Sequence, residues 1–392
     1  MMKRLAVIGL ALFFALYSLL PAAFAEEKKA QTQELAEEAK SAVLIERDTG
    51  AVLYDKNSHE PLPPASMTKI MTMVLILEAI DEGKLDWKEK IRTSEKAASM
   101  GGSQIFLEPG EEMTVEEMLR GIAIGSANDA SVAMAERIAG SEEEFVNMMN
   151  TKVKELGLKN TTFKNATGLP AEGHVSSAYD MAMIGKELLK HKEITRFTGM
   201  YESYLRENTE KKFWLVNTNR LVKFYPGVDG LKTGFTNEAK YCLTATAEKN
   251  DMRVIAVVFG ASTPKTRNAQ VTKMLDYAFN QYQTHPLYKR GEKVGEIKVS
   301  KGDKNEVEVQ TGESVSILTK RGEKSDDYDK QVKLKEKIKA PIMKGDKVGE
   351  LIIKKDGKVL SKTPLVAKNT VKEAGWWQFY KKSFNLFSKT GN

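Results

Sequence analysis

From Met67 to Ile80 the chain is apolar almost all round, with no polar stripe to turn toward water. A helix of that kind is buried on every side, so this chain must wrap a substantial core around it. Apolar residues make up 41% of the chain, enough for such a core. Hairpin signals flank the helix in the sequence. Two apolar runs from Ala42 to Asp55 enclose Asp48-Thr49-Gly50, and two more from Tyr241 to Gly260 enclose Asn250-Asp251. Thr114 with Glu117 and Ser141 with Glu144 are capping boxes that start helices. A further helix is expected from Pro264 to Tyr282. Strands at both ends with helices between them predict an α+β domain over residues 41–284.

After His285 the texture changes. Short alternating runs, Glu306-Val-Glu-Val309 and Val332-Lys-Leu-Lys335, predict half-buried strands in a small all-β domain over 285–368. Within it, Gly291-Glu-Lys-Val-Gly-Glu-Ile297 recurs as Gly345-Asp-Lys-Val-Gly-Glu-Leu351, a local duplication. The region carries no catalytic constellation and reads as a spacer.

The ends of the chain address it to a membrane. Lys3 and Arg4 precede an apolar run from Leu5 to Leu20, then Pro21 and Ala23-Phe24-Ala25, the three parts of a secretory signal over 1–25. Residues 26–40, rich in Glu, Lys, Gln and Ala, read as an exposed lead-in. At the other end, over 369–392, Trp376, Trp377, Tyr380, Phe384 and Phe387 recur at helical spacing beside Lys372, Lys381 and Lys382. That pattern predicts an amphipathic helix lying in a membrane interface. From His285 onward 25 Lys and Arg face 15 Asp and Glu, so the excess of +7 over the whole chain comes from this end. A nucleic-acid protein usually places its positive patch on its main domain, so no nucleic-acid partner is expected. The expected place is the outer face of a cytoplasmic membrane, held peripherally. One cysteine excludes an intramolecular disulfide or a multi-cysteine zinc site, and none of the four histidines pairs with another at ligand spacing. Neither metal nor cofactor is expected.

Three short motifs carry chemistry. Ser66-Met-Thr-Lys69 opens the buried helix, so the lysine lies one turn from the serine. A serine is a poor nucleophile until a base takes its proton, and a buried lysine with a lowered pKa can do so. Ser126-Ala-Asn128 lies between two helices, where a hydroxyl relays a proton and an amide holds a substrate amide. Lys232-Thr233-Gly234 precedes the Tyr241 strand; an ammonium beside a hydroxyl suits a substrate carboxylate, and the glycine admits a substrate backbone. Each motif alone is weak. Ser262-Thr-Pro-Lys265, Ser383-Phe-Asn385 and Lys389-Thr-Gly391 form a second complete set, but its last two members crowd into the C-terminal tail. His174 and Cys242 read as structural, Ser126 also as a helix cap, and Lys232 also as a surface partner of Asp229 or Glu238.

The ordered set Ser-x-x-Lys, Ser-x-Asn, Lys-Thr-Gly resembles penicillin-binding proteins and serine β-lactamases. Pro64-Ala-Ser66-Met-Thr-Lys69-Ile, Gly125-Ser-Ala-Asn128-Asp-Ala, Val228-Asp-Gly-Leu-Lys232-Thr-Gly-Phe-Thr236, Gly102-Ser103, Leu107-Glu-Pro-Gly110 and His174-Val-Ser-Ser-Ala-Tyr-Asp180 look like the low-molecular-mass D-alanyl-D-alanine carboxypeptidases, among which a sporulation-linked Bacillus-type member is one candidate. The resemblance implies an antiparallel sheet packed with helices plus an all-helical subdomain. It implies Ser66 as acylated nucleophile, Lys69 as its base and Ser126 as proton relay. Asn128 would hold the substrate amide and position Lys69. Lys232 and Thr233 would bind the terminal carboxylate. The backbone N–H groups of Ser66 and Phe235 would form the oxyanion hole. The family often has His where Phe235 stands. The implied partners are a peptidoglycan stem peptide ending in D-Ala-D-Ala and β-lactam antibiotics as inhibitors. Two rivals stand beside it. A β-lactamase lacks support because no Glu-x-x-Leu-Asn follows Ser126. A non-catalytic penicillin-binding sensor or wall-binding module is opposed by the intact Ser66/Lys69 pair.

Overall fold

A computed structural model describes residues 34–323 and 328–375. In chain order its longer elements begin with β1 (Ser41–Glu46), β2 (Val52–Lys56), α1 (Lys69–Asp81), α2 (Val115–Arg120), α3 (Asn128–Ala139), α4 (Glu142–Glu155) and α5 (Ala178–Leu188). There follow β3 (Glu202–Leu205), β4 (Phe213–Val216), β5 (Val228–Thr236), β6 (Lys240–Lys249), β7 (Met252–Ala261) and α6 (Pro264–Gln281). The principal sheet has the antiparallel order β2-β1-β7-β6-β5, so the chain's first and last strands of this domain meet at its centre.

The expected hairpins form, each for a local reason. Asn250 and Asp251 both take positive φ (51° and 61°), as a tight turn matched to strand twist requires. At the β1–β2 turn the buried carboxylate of Glu46 accepts the backbone N–H groups of Asp48 (2.9 Å) and Thr49 (2.8 Å). β7 explains how one strand serves two cores. Val254, Ala256 and Val258 face α6 through Val271, Met274, Leu275 and Ala278. Ile255, Val257 and Phe259 face the helical side, where α1 and α5 pack. α1 is enclosed as its composition predicts: Ile70, Met71, Met73, Val74, Ile76 and Leu77 are buried. Thr114 and Glu117 complete a reciprocal capping box at α2, and Ser141 caps α4.

Two expectations about the ends are corrected. The lead-in is not exposed throughout: Leu35, Ala36 and Ala39 are buried in the core beneath α6. They are the apolar members of a polar stretch, and α6 needs a cover on its outer flank. Residues 370–375 do not begin a helix; Val371 bridges Ile342 and Glu373 bridges Gly302. The signal segment and the aromatic stripe from Trp376 onward lie outside the described residues.

The C-terminal module contains β8 (Lys293–Ser300), β9 (Glu306–Thr311), β10 (Asp329–Leu334), β11 (Lys347–Lys355) and β12 (Lys358–Ala367). Its main sheet runs β10-β11-β12-β9-β8 and ends on the short strand Ile338–Lys339. The duplicated heptapeptide is a structural repeat. Gly291 N–H donates to Thr311 O and Gly345 N–H to Ala367 O, each at 2.9 Å. Glu292 and Asp346 accept the N–H of the residue three before them, and Lys293–Glu296 repeats as Lys347–Glu350. The two hairpins then pair through β9 and β12. β9 alternates as predicted, but β10 is an edge strand exposed along its length, because only β11 flanks it. Glu313 ties the module to the catalytic domain through Lys186 (2.9 Å) and Lys190 (3.0 Å). Burial opposes the Glu313 charge, yet the two lysines hold its carboxyl down at about 2.

Candidate active site

Ser66 sits in a single 3-10 turn, Ala65–Thr68, that leads directly into α1. Lys69 begins the helix fully buried, and its Nζ donates to Ser66 Oγ at 3.1 Å and to the carbonyl of Thr167 at 2.7 Å. Burial pushes the Lys69 pKa well down, Lys232 pushes it further, and Asp129 opposes both. A buried amine with its pKa pushed down, within hydrogen-bond reach of a hydroxyl, is placed to take that hydroxyl's proton on its lone pair. Its position comes from Thr167, and no hydrogen bond from Asn128 is involved. Asn165 organises that loop: its Oδ1 accepts from the N–H groups of Thr167 (3.1 Å) and Gly168 (2.7 Å).

Ser126 and Asn128 flank the start of α3. Ser126 takes a left-handed conformation, φ 63°, after a π-type turn over Gly121–Gly125. It does not cap α3; the cap residue is Ala127, without a side-chain bond. A non-glycine residue held there costs about 1–3 kcal/mol and persists where surrounding structure over-determines it. Asn128 Nδ2 donates to Gly101 O (2.7 Å), and its buried Oδ1 has no protein partner. The next residue, Asp129, accepts the N–H groups of Ile105 and Leu107 and so pins the Gly101–Leu107 loop beside the motif.

The third motif lies on β5 at the edge of the sheet. Lys232 is buried, with 1% exposure, and Asp229 is instead paired with Arg253. The surface-turn reading of Lys232 therefore fails. Burial, reinforced by Arg267, pushes Lys232 down to about 7. Thr233 Oγ1 donates to Thr218 Oγ1 at 2.7 Å. Gly234 has a reason the sequence did not disclose. A Cβ there would lie 2.7 Å from Pro64 O and 3.1 Å from Ala65 Cβ, so the missing side chain lets β5 close on the turn that carries Ser66. The Phe235 ring is half exposed and stacks on Tyr241.

The structure thus brings all three motifs together, although they span residues 66 to 234 of the chain. The second motif set does not share their burial: Ser262 and Lys265 are exposed, and its other members lie outside the described residues. A cavity of about 470 Å³ opens beside Ser66, lined by Pro64, Ala65, Gly168, Leu169, His174 and Thr236 among others. His174 is structural: its Nδ1 accepts from Lys164 N–H, leaving Nε2–H to donate to Thr68 Oγ1 (2.8 Å). Burial, with Lys164, pushes its pKa to about 4. The unfolded chain binds this proton near pH 6.5 and the folded chain does not, so His174 lowers stability as pH falls from 6.5 to 4. The loss from this group should reach ~3 kcal/mol. His174→Asn, which keeps the acceptor, should flatten the fall of Tm over that window; an unchanged slope would reject the assignment. Cys242 is buried, and burial lifts its thiol to about 11, so it is inert.

Sequence reasoning missed Arg267. Its guanidinium is buried at the start of α6, donates to Asn268 Oδ1 (3.0 and 2.9 Å), and forms no ion pair with a carboxylate among the described residues. Burial first, and only then its neighbours, sets its pKa at about 10. A buried guanidinium without a carboxylate partner, close enough to Lys232 to lower its pKa, is chemically suited to an anion. No motif marks it, and it lies two residues beyond the misleading Ser262–Lys265 set.

This geometry is that of a serine acyl-transfer site on an α+β scaffold. The family profile of D-alanyl-D-alanine carboxypeptidases matches residues 27–263, and that of the penicillin-binding protein 5 C-terminal domain matches 282–373. The chain belongs to the D-alanyl-D-alanine carboxypeptidase family, and is a serine-type hydrolase of the low-molecular-mass penicillin-binding class. It is 66% identical to the D-alanyl-D-alanine carboxypeptidase DacF of Bacillus subtilis over 99% of this chain and 100% of that relative. With DacC of Escherichia coli the identity is 34%, over 94% of each chain. Penicillin-binding protein 5 of Haemophilus influenzae superposes with a TM-score of 0.66 at 32% identity, covering 86% of this chain and 98% of the other. Penicillin-binding protein D2 of Listeria monocytogenes in its ampicillin-bound form gives 0.56 at 32% identity, covering 62% and 98%.

Proposed function

We propose that the chain removes the terminal D-alanine from peptidoglycan stem peptides through an acyl-enzyme on Ser66. The observation that carries this reading is the buried Lys69 amine at 3.1 Å from Ser66 Oγ with its pKa lowered by burial. Lys69 takes the hydroxyl proton as Ser66 Oγ adds to the penultimate carbonyl. The backbone N–H groups of Ser66 and Phe235 receive the oxyanion. Ser126 passes a proton to the departing amine, and the free Oδ1 of Asn128 accepts from the substrate amide. Lys232, Thr233 and Arg267 hold the terminal carboxylate. Water then releases the shortened peptide. A β-lactam that mimics the dipeptide acylates the same serine and is released slowly, since the loop from Thr162 to Leu169 offers no glutamate to prime a water.

The domain reading assigns catalysis to 41–284, a spacer to 285–368 and a membrane-interface helix to the aromatic stripe from Trp376 onward, with export directed by 1–25. Supporting it is the basic C-terminal third.

Lys232 gives this mechanism a pH signature. Its charged form binds carboxylate, so kcat/KM in the free enzyme should fall as pH rises through about 7, by up to about tenfold per unit. Lys232→Arg keeps its charge throughout. That variant should be slower but should lose this alkaline limb. A limb that persists unshifted in the variant would assign it to another group.

A further inference from the structure

Among the described residues, five large aromatic side chains are exposed: Phe106, Tyr204, Trp214, Phe224 and Phe235. A scattered exposed ring needs no explanation, but these are not scattered. All lie in the catalytic domain, on segments bonded or packed to the motifs or to the stretches beside them. Phe235 follows the Lys-Thr-Gly motif on β5. Phe106, 64% exposed and at φ 56°, stands in the loop pinned by Asp129, with its carbonyl held by Arg206. Phe224 closes the short helix after Asn219, whose amide donates to Gly230 O at the base of β5.

Tyr204 and Trp214 face each other directly across the β3–β4 ribbon. Their neighbours Leu205 and Leu215 point inward and are buried, and Leu215 packs on Gly125, next to Ser126. The outer face of the ribbon is left to the two rings. Two residues beyond β4 the chain reaches Thr218, the partner of Thr233, so Trp214 lies about 13 Å along an extended chain from the residue that bonds the carboxylate-binding motif.

The chemistry of this rim is selective. Its exposed apolar groups are rings; the exposed aliphatic side chains, such as Val52, Met148, Val359 and Leu360, lie elsewhere. Between the rings stand charged groups: Glu202 accepts from Trp214 Nε1 (3.2 Å), and Lys212 lies over Tyr204. A pyranose presents a C–H face of slightly positive charge, which matches the negative face of an aromatic ring, and a girdle of hydroxyls that needs charged or polar partners.

We propose that the aromatic rim, with the Tyr204/Trp214 pair at its centre, binds the amino-sugar chain of the wall polymer alongside the cleft. This rests on the reading that the substrate is a peptidoglycan stem peptide, and it makes the polymer, not the free peptide, the preferred substrate. The cleft handles the last two residues of the stem; the rim holds the chain that presents successive stems.

The test compares the wild type, Trp214→Ala, Tyr204→Ala/Trp214→Ala and Trp214→Phe on a soluble pentapeptide and on polymeric peptidoglycan. Binding of an N-acetylglucosamine hexamer is followed by NMR. For the alanine variants, the pentapeptide rate should stay within about twofold of wild type. The polymer rate should fall about tenfold through KM, and hexamer binding should be lost. Trp214→Phe, which keeps a ring, should retain most of both. A wild type that does not bind the hexamer, or an unchanged polymer rate, overturns the proposal. So does an equal loss on both substrates, which would mean a structural role, and so does an oligomer that dissociates in the variants without any effect on hexamer binding. If the wild type releases no D-alanine from either substrate, the hydrolase reading fails instead, and the hexamer measurement alone still decides the rim.

Discussion

Ser66→Ala should abolish both release of D-alanine and covalent capture of penicillin. The rate should fall by at least about 10⁴-fold, because Ser66 carries the hydroxyl that Lys69 Nζ reaches. The fold should survive. Ser66 is only partly buried, and Lys69 keeps its bond to Thr167 O when the hydroxyl is removed. Stability should therefore change by no more than ~1 kcal/mol. Intact mass after brief penicillin exposure is the decisive readout. A one-to-one adduct in the wild type and none in the variant assigns the nucleophile. An adduct that persists in Ser66→Ala would move the chemistry elsewhere. Penicillin consumed by the wild type without an accumulating adduct would point to a β-lactamase.

Gly168→Ala should cripple the enzyme almost as severely, from a residue in none of the motifs. Gly168 has φ 84°, and a Cβ there would lie 1.9 Å from Ala65 O and 2.9 Å from Thr68 Oγ1. Ala65 itself is held at φ 48° immediately before the nucleophile. The clash can be relieved only by displacing the Ser66 turn or by moving the loop that presents Thr167 O to Lys69. Either change breaks the alignment of nucleophile and base. A displacement of about 1 Å costs on the order of 10²-fold in rate, and the strain should cost ~2–4 kcal/mol of stability. Gly173→Ala is the control. It shares the positive φ, at 71°, but meets only Lys164 Cε at 3.4 Å. It should lose ~1 kcal/mol and keep its acylation rate. Equal penicillin acylation rates in Gly168→Ala and the wild type would refute the argument.

What could be read in advance follows the range over which the causes act. The hairpins at Gly50 and at Asn250-Asp251, the cap at Thr114 and the encirclement of α1 arise from neighbours a few residues apart, so their signals are local. The same holds for the duplicated turn of the C-terminal module, where each copy repeats its own short-range bonds. The lead-in was misread because Leu35, Ala36 and Ala39 are buried by α6, more than two hundred residues later in the chain. The exposed β10 was misread because alternation cannot distinguish an edge strand from an inner one.

At the site, the sequence alone singled out Ser66 and Lys69 as the candidate pair and gave the order of the three motifs, since Ser66 and Lys69 meet through one helical turn. It also excluded a cysteine-based metal centre through its single cysteine. Only the tertiary structure decided that Lys69 is held by Thr167, 98 residues away, and that Arg267 joins Lys232 behind the motif strand. It likewise decided that Gly234 and Gly168 are needed to seat the nucleophile turn. The physical reason is that a lowered lysine pKa and a close backbone approach are properties of packed volume. Desolvation and steric contact depend on every element that closes around a group, and no short stretch of chain contains them.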